Sequence, residues 1–268
     1  MNRAGDRVAA PVPERRPGTT WAVDLDGVVW LTGEPIPGVP EALVRLRASG
    51  VRVLFATNNS AYPIADVVER LARAGIEAEP DDVISSAQAA ATLVDPGETV
   101  VALAGEGVVE ALTRRGARVV DEGPSDAVVV GWTRRFDFDR VTAALGAVLG
   151  GARLIGTNDD PTLPTPAGPL PGAGALLASV STASGVVPEV AGKPHRPMAD
   201  VIRDRAGVIS LVVGDRPSTD GLLARRLASP FALVLSGVTR PDVPLPDPLP
   251  DFVADDLGAL VPEGDAER

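Results

Sequence analysis

Short apolar runs alternate with segments of helical apolar spacing along most of this chain, and three of the runs stop abruptly on polar side chains. "TTWAVDLDG" (19–27) is an apolar strand that runs into two acids and a glycine. "EALVRLRASG" (41–50) then has helical spacing with a glycine stop. "VRVLFATNNS" (51–60) is a second buried strand, ending in Thr57, Asn58 and Asn59. "PIADVVERLARAG" (63–75) has proline in its first turn and glycine past its end, the usual asymmetry of a helix. Strand–helix alternation of this kind predicts an α/β fold with a parallel sheet. The pattern resumes near the end: a helix in "RPMADVIRDRAG" (196–207), a strand in "ISLVVGD" (209–215), a helix in "TDGLLARRLA" (219–228) and a strand in "FALVLSG" (231–237).

Between these stretches lies a second run of short strands and helices: "ETVVALAG", "ARVVDEG", "DAVVVGW", "FDRVTAALGAVLGG" and "ARLIGTN". It leads into the Pro- and Gly-rich 159–174 segment, which looks too irregular for a regular element and reads as a functional loop. The expected organisation is therefore a polar tail at 1–18, a core made of 19–85 and 190–268, and an inserted α/β domain at 86–189. The proline-rich 239–251 stretch reads as a surface loop.

Composition removes several classes of function. The net charge is −11, and no basic run tracks a phosphate backbone, so neither nucleic acid nor an anionic membrane is an expected partner. Disulfides and thiolate metal sites are excluded because there is no cysteine, and a single histidine argues against a histidine zinc site or a Ser-His triad. No signal-like or membrane-length apolar segment stands out, which makes a cytoplasmic protein the expectation.

The strand ends carry the chemistry. In open α/β sheets, ligands sit beyond the carboxyl ends of the strands. Asp24 and Asp26 end the first strand, Thr57, Asn58 and Asn59 the second, and Asp215 a later one, with Asp220 close behind. Asp, Asn and Thr are also turn formers and helix caps, so any one of these ends has a plain structural reading. Two carboxylates ~4 Å apart repel by about 4 kcal/mol at an effective dielectric near 20, so several together call for a cation. With no thiolate and one imidazole the ligands are oxygens, which suits Mg²⁺ beside a phosphate. "VAGKPHRP" (190–197) supplies the counter-charge. Lys193 is the only lysine among 25 lysines and arginines, and His195 is the only histidine. A compact ammonium fits between a phosphate and a carboxylate where a planar guanidinium would impose a bidentate geometry. Gly192 is read as permitting a tight turn, Pro194 as starting the next helix, and His195 as bordering the site.

"DLDGV", "TNNS", "GKP" and "GDRPSTD" stand in the order of the four motifs of haloacid dehalogenase-like phosphatases. The chain resembles that superfamily over nearly everything after residue 20. The insertion between the second and third motifs is similar to that of the capped subgroup of NagD-type, 4-nitrophenylphosphatase and phosphoglycolate phosphatase enzymes. "DPTLPT" (160–165) followed by "VAGKP" further resembles actinobacterial glycerol-3-phosphate phosphatases. The resemblance implies a Rossmann-like parallel-sheet core with an inserted α/β cap domain and a Mg²⁺-dependent phosphatase. The substrates it implies are small phosphomonoesters such as glycerol 3-phosphate, phosphoglycolate or 4-nitrophenyl phosphate; a nucleotide or sugar phosphatase of NagD type is the neighbouring alternative.

By motif position, Asp24 would be the nucleophile that becomes an aspartyl-phosphate, and Asp26 the general acid and then the general base. Lys193 would neutralise the transferring group. Thr57, Asn58 and Asn59 would contact the phosphoryl oxygens. Asp24, Asp26 (through its carbonyl), Asp215 and Asp220 would hold Mg²⁺. Asn158 and Asp160, with Thr157 and the 161–174 loop, would meet the leaving group, and a homodimer would form through the cap. Arg134 and Arg135 fit a solvated face better than a contact to a substrate tail. Three features depart from the resembled pattern: Asp159 inside the "TN.D" stretch, His195 in place of a small residue, and "ARRLASPF" without the usual "A..AG". A receiver-like signalling domain would share the acceptor Asp, acidic site, Thr and Lys. It would not need a second Asp two residues after the acceptor or an insertion of about a hundred residues. A phosphomutase of the same superfamily would carry its cap after the first motif, and a binding module would not retain every acid.

Overall fold

The computed structural model describes residues 13–31, 33–163, 165, 167–240 and 247–263. Residues 1–12 of the expected 1–18 tail and 241–246 of the 239–251 loop therefore lie outside the described residues. The chain divides into two compact units: one from residues 1–56, 68–83 and 202–268, the other from 57–67 and 84–201.

The first unit is built on a six-stranded sheet. Its order is Phe252–Ala254, Phe231–Val234, Leu211–Gly214, Thr20–Val23, Arg52–Thr57 and Val83–Ser85. The first five strands pair in parallel. Parallel sheets covered on both faces need strands apolar on both faces, and Thr20–Val23, Leu211–Gly214 and Phe231–Val234 are buried at every position. Thr20–Val23 has a strand from the following chain on one side and a strand from the C-terminal third on the other. The strand order reverses there, and crevices for ligands open at such points.

The second unit carries its own five-stranded sheet, all parallel, in the order Glu189–Val190, Arg153–Gly156, Ala127–Val130, Thr99–Leu103 and Arg118–Val120. Its core is Val, Leu and Ala: Val101, Leu103, Val128, Val130, Leu154, Leu176 and Leu177 among others. Phe138–Leu149 and Ala173–Ser184 are its two longer helices. The parallel sheets with surrounding helices are the expected α/β, Rossmann-like architecture with an inserted cap.

Local differences from the sequence reading have physical reasons. The 159–174 segment is not wholly irregular: Thr162–Leu163 and Leu170–Pro171 pair as a short antiparallel ribbon. Two-residue strands rich in Pro carry no periodicity to read. The same holds for Trp30–Leu31 with Glu34–Pro35. The helix expected over 219–228 starts at Leu222 and ends at Leu227. Pro217–Gly221 before it forms a wide turn, with the Gly221 N–H reaching back to the Arg216 carbonyl at 3.4 Å. Ala228 closes that helix at φ 54°, the left-handed region where glycine is at home. This is the place where the chain lacks the "AG" of the resembled pattern.

Candidate active site

Register explains how the acids of the first unit meet. Val23 pairs with Val213 across two parallel strands, so Asp24 emerges beside Gly214 and one residue behind Asp215. The Asp24 N–H donates to the Val213 carbonyl at 2.9 Å and continues the ladder to the strand's last useful position. The wide turn after the Leu211–Gly214 strand brings Asp220 back to the same end. One carboxylate oxygen each from Asp24, Asp215 and Asp220 then lies within 4.8 Å of the other two. Asp24 keeps 9% exposure and the other two 1% each.

Backbone and side-chain donors hold Asp215 and Asp220. Asp215 Oδ2 accepts the Val238 N–H at 2.6 Å. Asp220 Oδ2 accepts the Arg216 N–H at 3.2 Å and the Thr219 hydroxyl at 3.4 Å. Small neighbours make room. A Cβ on Gly214 would collide with the Asp220 side chain, and one on Gly237 with Asp215. Gly27 needs its glycine twice over, since its φ is +89° and a Cβ would strike Asp215.

Asp26 stands apart from this trio, which consists of the carboxylates of Asp24, Asp215 and Asp220. Asp26 Oδ1 accepts the Trp30 indole N–H at 3.0 Å. The expected metal contact from Asp26 is through its backbone carbonyl, which leaves this carboxylate bond intact.

The second unit gathers the other expected residues around Asn58. Asn58 Oδ1 accepts the Lys193 N–H at 2.7 Å. Its Nδ2 donates to the Lys193 carbonyl at 3.0 Å and to Asp160 Oδ2 at 2.9 Å. The Asn58 carbonyl accepts the Ser86 hydroxyl at 2.6 Å and Asn158 Nδ2 at 2.7 Å. Both amide hydrogens of Asn58 are therefore engaged. With its two amide hydrogens on Lys193 and Asp160 and its oxygen on the Lys193 N–H, the side chain clamps the lysine segment. Lys193 is 3% exposed.

Gly192 opens the expected tight turn, its carbonyl accepting the His195 N–H at 2.7 Å, and has a steric reason for being glycine as well. A Cβ there would crowd Asn58 Oδ1, at 2.5 Å, and the Thr157 carbonyl, at 2.6 Å. Pro194 follows a cis Lys193–Pro194 bond and does not start the helix, which begins at Arg196. Thr57 Oγ1 accepts the Asn59 N–H at 3.0 Å, and Asn59 Oδ1 accepts the Ala61 N–H at 3.0 Å. The side-chain oxygen of Asn59 thus serves the turn. Thr157 is buried against Ser60, hydroxyl to hydroxyl at 3.0 Å.

Sequence reasoning missed the hub role of Asn58 together with Ser86, Ser60 and Val238. Their only signals were a small polar residue at a strand end or a glycine-flanked turn, both common in loops. His195 and Asp159 were singled out separately; they bond to each other, His195 Nε2 to Asp159 Oδ2 at 3.0 Å. That bond is the main reason the Asp159 carboxyl sits below the usual carboxylate range, against the opposing effect of partial burial.

Comparison with known proteins accords with this arrangement. A family model described as haloacid dehalogenase-like hydrolase matches residues 21–118, and a second, HAD-hydrolase-like, matches 190–260. The chain belongs to the haloacid dehalogenase-like hydrolases. Within that family it is 35% identical over 248 residues to the D-glycerol 3-phosphate phosphatase of Mycobacterium tuberculosis, covering 89% of this chain and 69% of the relative. It is 34% identical to the dihydroxyacetone phosphatase of Corynebacterium glutamicum, covering 82% of each. Among solved structures, the glycerol phosphate phosphatase of Mycobacterium tuberculosis in complex with magnesium superposes with a TM-score of 0.84 at 34% identity, over 90% of this chain and 76% of that one. Among the described residues, no helix of this hydrolase is long and apolar enough to cross a membrane.

Proposed function

We propose that this hydrolase cleaves small phosphomonoesters, with glycerol 3-phosphate and dihydroxyacetone phosphate as the first candidates, through an aspartyl-phosphate on Asp24. The observation that carries the reading is the trio of Asp24, Asp215 and Asp220 at one strand end, two of them fully buried. Three ionised carboxylates this close repel one another by about 3 kcal/mol per pair at an effective dielectric near 20. An all-oxygen set of this kind fits a hard divalent cation. Asp24, Asp215 and Asp220 would hold Mg²⁺, with the Asp26 carbonyl as a further oxygen. The ion would supply charge neutralisation at the phosphoryl oxygens. Magnesium in the related glycerol phosphate phosphatase supports the choice of metal.

The remaining chemistry belongs to the chain. An Asp24 carboxylate oxygen bonds to phosphorus as the ester P–O bond breaks, and Asp26 gives its proton to the departing alkoxide. Water then attacks phosphorus, Asp26 takes the water's proton, and the bond to Asp24 breaks to release inorganic phosphate. Trp30 steadies the Asp26 carboxyl through its indole N–H. Lys193, set by the Asn58 clamp, offsets the negative charge of the transferring group. The Thr57 hydroxyl, aimed by the bond it accepts from Asn59, donates to a phosphoryl oxygen. Asn158, Asp160 and the ribbon of Thr162–Leu163 with Leu170–Pro171 meet the alcohol part of the substrate, and closure of such an inserted unit excludes bulk water.

The test is phosphate release from a panel of glycerol 3-phosphate, dihydroxyacetone phosphate, 2-phosphoglycolate, nucleoside monophosphates, sugar phosphates and p-nitrophenyl phosphate. Magnesium-dependent turnover is expected, fastest on the three-carbon esters, and acid quenching should trap phosphate on Asp24. A preference for nucleotides or hexose phosphates would move the assignment to a NagD-type activity. Turnover that persists in Asp24→Asn would end the proposed mechanism.

A further inference from the structure

The single histidine and an unusual acid form a bond that the reaction scheme above leaves unused. His195 Nε2 and Asp159 Oδ2 are 3.0 Å apart, with side chains 33% and 50% exposed. Each stands next to a functional segment. His195 is two residues after Lys193, and Asp159 lies between Asn158 and Asp160. Neighbouring acids of one loop therefore bond to different partners: Asp160 to Asn58, Asp159 to His195.

The same loop is fastened to the ribbon. The Gly172 N–H donates to the Pro161 carbonyl and the Gly174 N–H to the Asp160 carbonyl, both at 2.9 Å. A Cβ on Gly172 would collide with the Asp160 carbonyl and one on Gly174 with that of Asp159, so the start of the Ala173–Ser184 helix, directly after the ribbon's return strand, lies on the loop backbone. The Gly192 N–H donates to the Thr157 carbonyl at 2.7 Å. The loop over 157–161 thus joins the lysine segment on one side to the ribbon on the other.

We infer that the Asp159–His195 bond is a latch that fixes the 157–161 loop, and the ribbon it carries, against the lysine segment, which makes these two residues determinants of which alcohol the enzyme accepts. The inference rests on the reading of the ribbon as the part that meets the leaving group. Asn58 already clamps Lys193 on its own peptide groups, so phosphoryl handling does not require the latch. What the latch controls is the angle at which Asp160 and the ribbon approach. A small flexible alcohol with hydroxyl groups depends on that placement more than a flat aryl group that binds by area.

The experiment compares wild type, His195→Ala, Asp159→Ala and the double variant on glycerol 3-phosphate and p-nitrophenyl phosphate, with kcat and KM measured separately. Expected is a KM for glycerol 3-phosphate raised about fivefold in either single variant, as suits a partly exposed hydrogen-bonded pair. The double variant should add no further loss, since the two residues act as one unit. For p-nitrophenyl phosphate both constants should stay within about twofold. His195→Gln and Asp159→Asn, which keep a hydrogen-bonding side chain, should recover part of the loss and guard against misfolding of the alanine variants. Equal losses on both substrates, additive losses in the double variant, or unchanged kinetics would each overturn the latch. A wild-type enzyme that hydrolyses neither ester would instead overturn the phosphatase reading beneath it.

Discussion

The acidic cluster and the lysine cluster are built by opposite means. Asp24, Asp215 and Asp220 come together because parallel strands in register end side by side and glycines leave space for the carboxylates. Nothing in their mutual electrostatics favours the arrangement, and the fold holds it against repulsion. The lysine segment sits in a web of complementary hydrogen bonds centred on Asn58, which satisfies both the N–H and the C=O of Lys193. The acidic cluster is a site whose function costs stability until a cation binds; the lysine cluster is one whose function and stability share the same bonds.

The sharpest way to break that distinction is at Asp24. Asp24→Asn should lower kcat by at least about 10³-fold, the scale of losing a nucleophile, while the metal-free protein melts no lower than wild type because one repelling charge is gone. Calorimetry beside a phosphate-release assay reads both; a large drop in Tm would place the acids among the stabilising elements. Asn58→Ala should behave differently, losing activity and about 2–3 kcal/mol of stability together, since buried peptide groups of Lys193 and the Asp160 carboxylate lose their partner. Unchanged denaturant stability in that variant would show that the hub is dispensable.

Ala228→Gly serves as a control that touches neither cluster. It relieves a left-handed alanine at a helix end, and the denaturation midpoint should rise by the equivalent of about 1 kcal/mol with kcat and KM unchanged. The smallest effect belongs to Asp159. Its carboxyl is held low by His195, so the stability it contributes is present above the unfolded carboxylate pKa of about 4 and is lost as pH falls through the lower folded value. The half-exposed pair limits this to below about 0.5 kcal/mol. Acid titration of stability in wild type and Asp159→Asn should diverge only in that window, with the variant showing the shallower loss.

Strand–helix alternation and the residues at strand ends follow from local chemistry. Apolar runs of strand length, glycine stops and proline starts act within a few residues, and they placed Asp24, Thr57 and Asp215 at the ends of their strands from composition and spacing alone. A lone lysine in an arginine-rich chain was visible for the same reason. The ribbon of Thr162–Leu163 with Leu170–Pro171, the full occupation of the Asn58 amide, the steric need for glycine at 192 and the pairing of Asp159 with His195 were not visible. The ribbon's two-residue strands carry no periodicity; each of the others depends on segments tens of residues apart meeting at close range, and no local pattern encodes such a meeting. Short-range propensity says what a residue can do at a chain position; which partner it does it with is settled by long-range packing, where a single carbon atom's width separates a clamp from a clash.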